Sequence, residues 1–166
     1  MAACTPASTG SNEQEVGQVS EKENHNKRMV LRLYQEVGNE GRLEVLDEIA
    51  WPDHIEHYPF PGQSQGVEGL KQRVSMVRAA FNPQFTIEHL MAEGDMVAVM
   101  WRNQGTHVGE WFGFSPTGKS VTVHGVDIHR LRDGRLAEHW DVVDIRDFLM
   151  AVGAVSAPAG IAGAQR

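Results

Sequence analysis

The chain has 166 residues, 41% of them hydrophobic and 22% charged, which fits one globular domain with a buried core and excludes disorder throughout. A net charge of -7 without a cluster of Lys or Arg argues against nucleic acid or an anionic membrane as the main partner and leaves a small neutral or cationic ligand. Cys4 is the single cysteine, so no intrachain disulfide is possible, and no apolar run is long enough to span a bilayer.

The opening "MAACTPASTGSNEQEVGQVSEKE" lacks the basic and apolar regions of a secretory signal, so a soluble cytoplasmic protein is expected. Small and polar residues dominate 1–22, which predicts a disordered tail, followed by one domain over 23–153 and a flexible C-terminal tail over 154–166. From Asn24 to Val37, residues Val30, Leu33, Tyr34 and Val37 recur at helical spacing, and "GNEG" stops the pattern. A short second helix carries Leu43, Leu46 and Ile49 on one side. "WPDHIEHYPFPGQ" holds three prolines and predicts an irregular connection, with a brief extended piece at His54–Tyr58. Val67, Leu70, Val74, Val77 and Phe81 then repeat at steps of three and four, the mark of a third amphipathic helix.

Beyond Asn82 the period changes. "FTIEHLMAEGDMVAVMWRNQGTH" reads as a hairpin turning at Glu93–Asp95. "KSVTVHGVDIHRL" and "LAEHWDVVD" read as two more strands joined at "RDGR". "DIRDFLMAVG" closes the pattern as a short helix. Helices first and antiparallel strands afterwards is the α+β order. A strongly curved sheet closed by helices makes a cone with an apolar pocket.

Alternation along a strand puts Gly125, Asp127 and His129 on one face, and Ala137, His139 and Asp141 share a face of the returning strand. The turn decides whether the two sets coincide. A three-residue loop Arg132–Gly134 pairs odd with odd, whereas a two-residue loop Asp133–Gly134 pairs odd with even. In the first case Asp127, His129, His139 and Asp141 form one inward polar cluster, with Gly125 leaving room for a ligand. In the second they are charges on an exposed hairpin. Inward carboxyls would be tuned by burial and by neighbouring imidazolium, and could move protons beside a carbonyl.

His54, Glu56 and His57 in "DHIEHY" contain two metal-type histidines, but they lack helical i,i+4 spacing and a third ligand, so no metal is expected. Tyr58, Phe60, Trp101, Trp111 and Trp140 are aromatic enough to line a pocket for a flat ligand. The glycine runs lack the strand–GxGxxG–helix arrangement of a dinucleotide site, and no phosphate loop is present.

Residues 24–153 resemble the SnoaL-like polyketide cyclases of the nuclear transport factor 2-like superfamily. The likeness is carried by "GTHVGEWFGFSPTGKSV", "HRLRDGRLAEHWDVVD" and "DFLMAVG", with support from "WPDHIEHYPFPGQSQGVEGLK". It implies an α+β cone-shaped barrel, in which a curved antiparallel sheet packs against three N-terminal helices with a short C-terminal helix. It further implies a cofactor-independent, metal-free enzyme that closes a polyketide ring by an intramolecular aldol step, acting on a small hydrophobic carbonyl substrate as a homodimer or homotetramer. The family's general acid/base is the aspartate directly after the "EHW"-like stretch, here Asp141. The matching position on the preceding strand, a histidine in some of those enzymes, is Asp127. Glu56 falls where some cyclases have Asn, and His57 matches a histidine seen in many relatives.

The resemblance favours the odd-with-odd register, with Asp141 and Asp127 as catalytic residues. Glu56, His57, Tyr58, Trp101, Trp111, His129 and His139 are expected to line the substrate site. The departure at Asp127 keeps other reactions in the same pocket open: isomerisation, epoxide hydrolysis or cyclisation, or ligand binding without catalysis.

Overall fold

The computed structural model describes residues 10–156, with side chains from Glu21 onward except those of Asp147 and Ala151. Helix α1 spans Gly10–Arg32, beginning inside the segment assigned above to a tail, while residues 1–9 and most of the C-terminal tail lie outside the described residues. From Leu33 to Asn39 the helix widens into a π-helical turn. Arg78 donates to the carbonyl of Asn39 at 2.8 Å and also bonds that of Gly38, satisfying the end of this turn. Gly38 allows the Phe85 ring to approach closely there, since a Cβ would lie 3.2 Å from it.

Helix α2 (Val45–Ile49) leads directly into strand β1 (Ala50–Glu56). Helix α3 (Gly66–Phe81) ends as the sequence predicts: Asn82 adopts φ 45° and its N–H bonds the Arg78 carbonyl, a left-handed cap. Strands β2 (Gln84–Glu93), β3 (Met96–Thr106), β4 (Ser120–Arg132) and β5 (Arg135–Asp144) follow, and α4 spans Arg146–Ala151. None of the described helices is long and apolar enough to cross a membrane.

The five strands form one curved sheet in the order β1-β5-β4-β3-β2. The sheet is mixed rather than wholly antiparallel, because β1 pairs parallel with β5 at one edge. A strand delivered by helices, not by a hairpin, is free to enter in that direction. Val30, Leu33, Tyr34 and Val37 pack with Val97, Val99 and Trp101 of β3 in the main core. A smaller cluster of Phe81, Val121 and Val152 joins the end of α3 to α4.

The β4–β5 hairpin turns through Asp133 (φ 49°) and Gly134 (φ 75°), the two-residue loop, with Arg132 opposite Arg135. Taken alone, this turn pairs odd with even. A bulge then intervenes: Leu131 faces Leu136 but Arg130 faces Glu138, leaving Ala137 as one extra residue on β5. Beyond it His129 pairs with His139 and Asp127 with Asp141. The odd-with-odd register therefore holds, through a bulge that the sequence does not announce.

Candidate active site

Five elements contribute to a site on the concave side of the sheet. Strand alternation buries Asp127 and His129 on β4 and His139 on β5. The neighbouring edge strand β1 adds His54 and Glu56, with Glu56 in register with His139. Across the sheet, the π-helical turn brings Tyr34, and α3 brings Arg73 to Asp141.

The His139 ring lies between two carboxylates: its Nδ1 is 2.7 Å from Glu56 and its Nε2 3.5 Å from Asp127. The Tyr34 hydroxyl donates to Asp127. With that proton committed, the 3.3 Å contact of His129 Nε2 with the Tyr34 oxygen assigns a proton to Nε2. The His129 and His139 rings stack at 4.8 Å. Beside this chain Arg73 pairs with Asp141, lies 3.6 Å from Glu56 and covers the Phe60 ring at 4.1 Å.

Burial alone would depress His139, but its contacts with the Asp127 and Glu56 carboxylates, an ion pair at 3.5 Å and a hydrogen bond at 2.7 Å, outweigh burial and raise its pKa to about 9. Burial would likewise raise Glu56 and Asp127. The His139 hydrogen bond and charge overcome it and hold both carboxyls below the ordinary range. Burial and the His139 charge push His129 down to about 3 and His54 down to about 4, so both are neutral. Burial, reinforced by the Asp127 charge, places the Tyr34 phenol well above its usual value.

Asp141 behaves differently. Burial raises it despite Arg73 and His139, with Asp127 and Glu56 adding to the rise. Two aspartates on facing positions are thus driven apart, one held ionised and one made more basic, the pattern by which carboxyls acquire separate acid and base roles.

These groups border a cavity of about 450 Å³, within the range of small-molecule sites. Its walls are apolar, with Leu70, Val74, Val77 and Phe81 from α3 facing Phe85, Trp101 and Val123. At the rim, Trp111, Phe112 and Phe114 sit on a tight turn closed by a Trp111–Phe114 bridge. Phe60 and Phe148 complete this aromatic ring, with centroid separations of 4.7–6.1 Å among its contacts.

Of the residues expected from sequence, Asp127, His129, His139, Asp141, Trp101 and Trp111 line this cavity. Glu56 lies behind it as the partner of His139. His57 and Tyr58 do not line it. The alternation that turns Glu56 inward turns His57 outward, where it stacks on Trp140 at 4.1 Å and bonds Glu138, and Tyr58 is 58% exposed. Gly125 leaves room not for a ligand but for the Trp101 indole, which a Cβ would meet at 2.3 Å.

Sequence reasoning missed Arg73 and Tyr34 and weighed His54 only as a metal ligand, although it lines the cavity. Arg73 carried a signal, being a charge set within the stripe Leu70, Val74, Val77. Tyr34 was read as core, although a buried phenol requires a partner.

Asp127, His129 and His139 bring one ligand-type atom each within 4.8 Å of one another. The His139 ring is hydrogen-bonded to Glu56 through Nδ1, lies 3.5 Å from Asp127 at Nε2 and is protonated near neutrality, and a protonated imidazole has no lone pair for a metal. The His54–Glu56–His57 group is divided between the two faces of β1.

The model of the SnoaL-like polyketide cyclase family matches residues 28–150. The chain belongs to this family. It is similar to the nogalonic acid methyl ester cyclase of Streptomyces nogalater, 30% identical over 118 residues, covering 69% of this chain and 88% of that one. It is 26% identical over 122 residues to an aklanonic acid methyl ester cyclase of Streptomyces sp. strain C5, covering 69% and 74%. Among solved structures, a candidate SnoaL-like polyketide cyclase from Jannaschia sp. CCS1 superposes with a TM-score of 0.73 at 26% identity, covering 80% of this chain and 94% of that one.

Proposed function

We propose that this protein is a cytoplasmic, cofactor-independent cyclase that enolises a polyketide-type carbonyl compound and closes a ring by intramolecular aldol addition. The observation that carries the reading is Asp141: it borders an apolar cavity, and burial raises its pKa against a touching guanidinium. Asp141 removes a proton from the carbon beside a carbonyl, and the electron pair moves to the carbonyl oxygen. The enolate carbon then attacks a second carbonyl of the same molecule, and Asp141 returns its proton to the new alkoxide, so the product is an isomer of the substrate. Asp127, held ionised by His139 and Tyr34, orients the floor beside it. The relatives named as methyl ester cyclases support this substrate class.

The test is turnover of nogalonic and aklanonic acid methyl esters. Asp141→Asn should fold normally and lose roughly 10²–10⁴-fold in kcat, and wild-type kinetics in that variant would overturn the reading. The flanking of Arg73 by Asp141 and Glu56 favours one second reading, in which an acid group protonates an epoxide oxygen or activates water. Labelled water separates the two. Oxygen label in product indicates hydrolysis, and exchange only at carbon indicates enolisation.

The proposal includes a homodimer. The convex face of the sheet exposes an apolar row in register, Met100, Val126 and Val142, with Met91 and Ile128 nearby, a surface suited to a second copy.

A further inference from the structure

The geometry points to Arg73 as a second catalytic residue, whose guanidinium passes from the Asp141 carboxylate to the enolate oxygen as the proton is transferred. This rests on the reading of Asp141 as the base. Arg73 occupies the cavity-facing stripe of α3 between Leu70 and Val74, with its side chain only 13% exposed. A cation in that position incurs a large desolvation cost unless its partners hold it firmly. Here they do. Besides Asp141, Nη1 donates to the Tyr58 carbonyl at 3.2 Å, Glu56 lies 3.6 Å away, and the Phe60 ring supports the guanidinium plane.

The five N–H groups of the guanidinium outnumber the hydrogen bonds that it makes among the described residues. Donors therefore remain for a substrate oxygen.

The charge balance of enolisation gives this position its consequence. Before the step the negative charge is on Asp141. Afterwards Asp141 is a neutral acid and the charge is on the substrate oxygen. A cation in contact with the first site loses its partner as the second is created, so its attraction to substrate grows along the reaction coordinate. Interactions that strengthen in that way lower the barrier rather than merely tighten binding. The other cations at the cavity are committed elsewhere. Arg78 bonds the carbonyls of Gly38 and Asn39, and His139 is held between Glu56 and Asp127.

The pH dependence of Arg73→Met and Arg73→Lys in the methyl ester assay tests the assignment. Arg73→Met is expected to lose roughly 10²–10³-fold in kcat on the pH plateau, where Asp141 is ionised in both proteins, with KM changed by less than about 3-fold. Arg73→Lys, which keeps a charge but not the fork, should fall between. If Arg73 merely tunes Asp141, its removal shifts the acid limb to higher pH while plateau kcat is kept or increased, and that result overturns the inference. Should Arg73→Met fail to fold, a wild-type plateau in Arg73→Lys is decisive against it. Asp141→Asn keeps the two readings apart. An inactive Asp141→Asn beside an undiminished Arg73→Met plateau rejects the role of Arg73 alone, and an active Asp141→Asn rejects both.

Discussion

The floor of the cavity, at Asp127, His129 and His139, and its rim, at Trp111, Phe112 and Phe114, are held in place by different forces. On the floor all three side chains are almost fully buried, and each is fixed by a charged or hydrogen-bonded partner on another element. At the rim Phe112 and Phe114 are 43% and 37% exposed, and the Phe112 ring is held edge to face against Phe60 and Trp111 by dispersion and area burial. Removing Asp127 or His139 leaves a buried charge short of a counter-charge, and removing His129 takes a hydrogen-bond partner from Tyr34, whereas removing a rim ring leaves a gap that solvent can fill. The floor should therefore govern stability and chemistry together, and the rim should govern substrate binding alone.

The largest expected departure is at His139. Replacing it with Gln strands Glu56 and Asp127 without their shared cation and should cost about 3–5 kcal/mol of stability by denaturant titration. The variant should also change the pH profile. His139 gains its partners on folding, so its contribution is complete below about pH 6.5 and is lost as pH rises through about 9. His54 and His129 act in the opposite sense. Their folded values of about 4 and about 3 mean that the unfolded chain protonates first, and stability falls on acidification below about pH 6.5. The wild-type Tm should peak between these limbs, and His139→Gln should lose the decline between about pH 6.5 and 9. A wild-type alkaline slope in that variant would place the imidazolium elsewhere.

A smaller effect is expected at the rim. Phe112 has φ 45°, so glycine removes the ring while accepting the backbone. Phe112→Gly should raise KM by roughly 3–10-fold, the loss of about 1 kcal/mol of contact, with kcat unchanged. A fall in kcat at constant KM would erase the distinction between rim and floor. The smallest effect on chemistry is expected on the convex face. Val142, 74% exposed, points away from the cavity, and Val142→Glu should leave kcat within about 2-fold while sedimentation shows monomer in place of dimer.

The same division explains what was legible in the sequence. The stripe of α3 and the alternation of β4 are local periodicities, and each appears at the expected residues. The rings of Trp101 and Trp111 reach the cavity because large aromatics on inward positions have nowhere else to be buried. What escaped depends on partners distant in the chain. The π-helical turn that presents Tyr34 is stabilised by Arg78, 40 residues from Gly38, and the parallel entry of β1 is settled only by where α2 delivers it. His57 was grouped with Glu56, although alternation along the extended piece read at His54–Tyr58 sets neighbouring residues on opposite faces, as they are found. Arg73 is the exception: a charge in an apolar stripe was visible, and the question of what could neutralise it leads to Asp141.

The bulge at Ala137 makes the hairpin sensitive to pairing in a manner unlike its sensitivity to identity. A side-chain change at position 141 deletes one group. Were Ala137 taken into the ladder opposite Arg130, with the Asp133–Gly134 loop kept, every later pair would move by one residue, presenting Trp140 and Val142 to the cavity in place of His139 and Asp141, whereas deleting Ala137 would leave His139 opposite His129 and Asp141 opposite Asp127. The strand thus carries two frames, one chemical and one adhesive, and a single unpaired alanine selects between them. Among variants of this fold, a change that pairs or frees one residue of that hairpin without altering its length is the class expected to exchange enzyme for binder in one step.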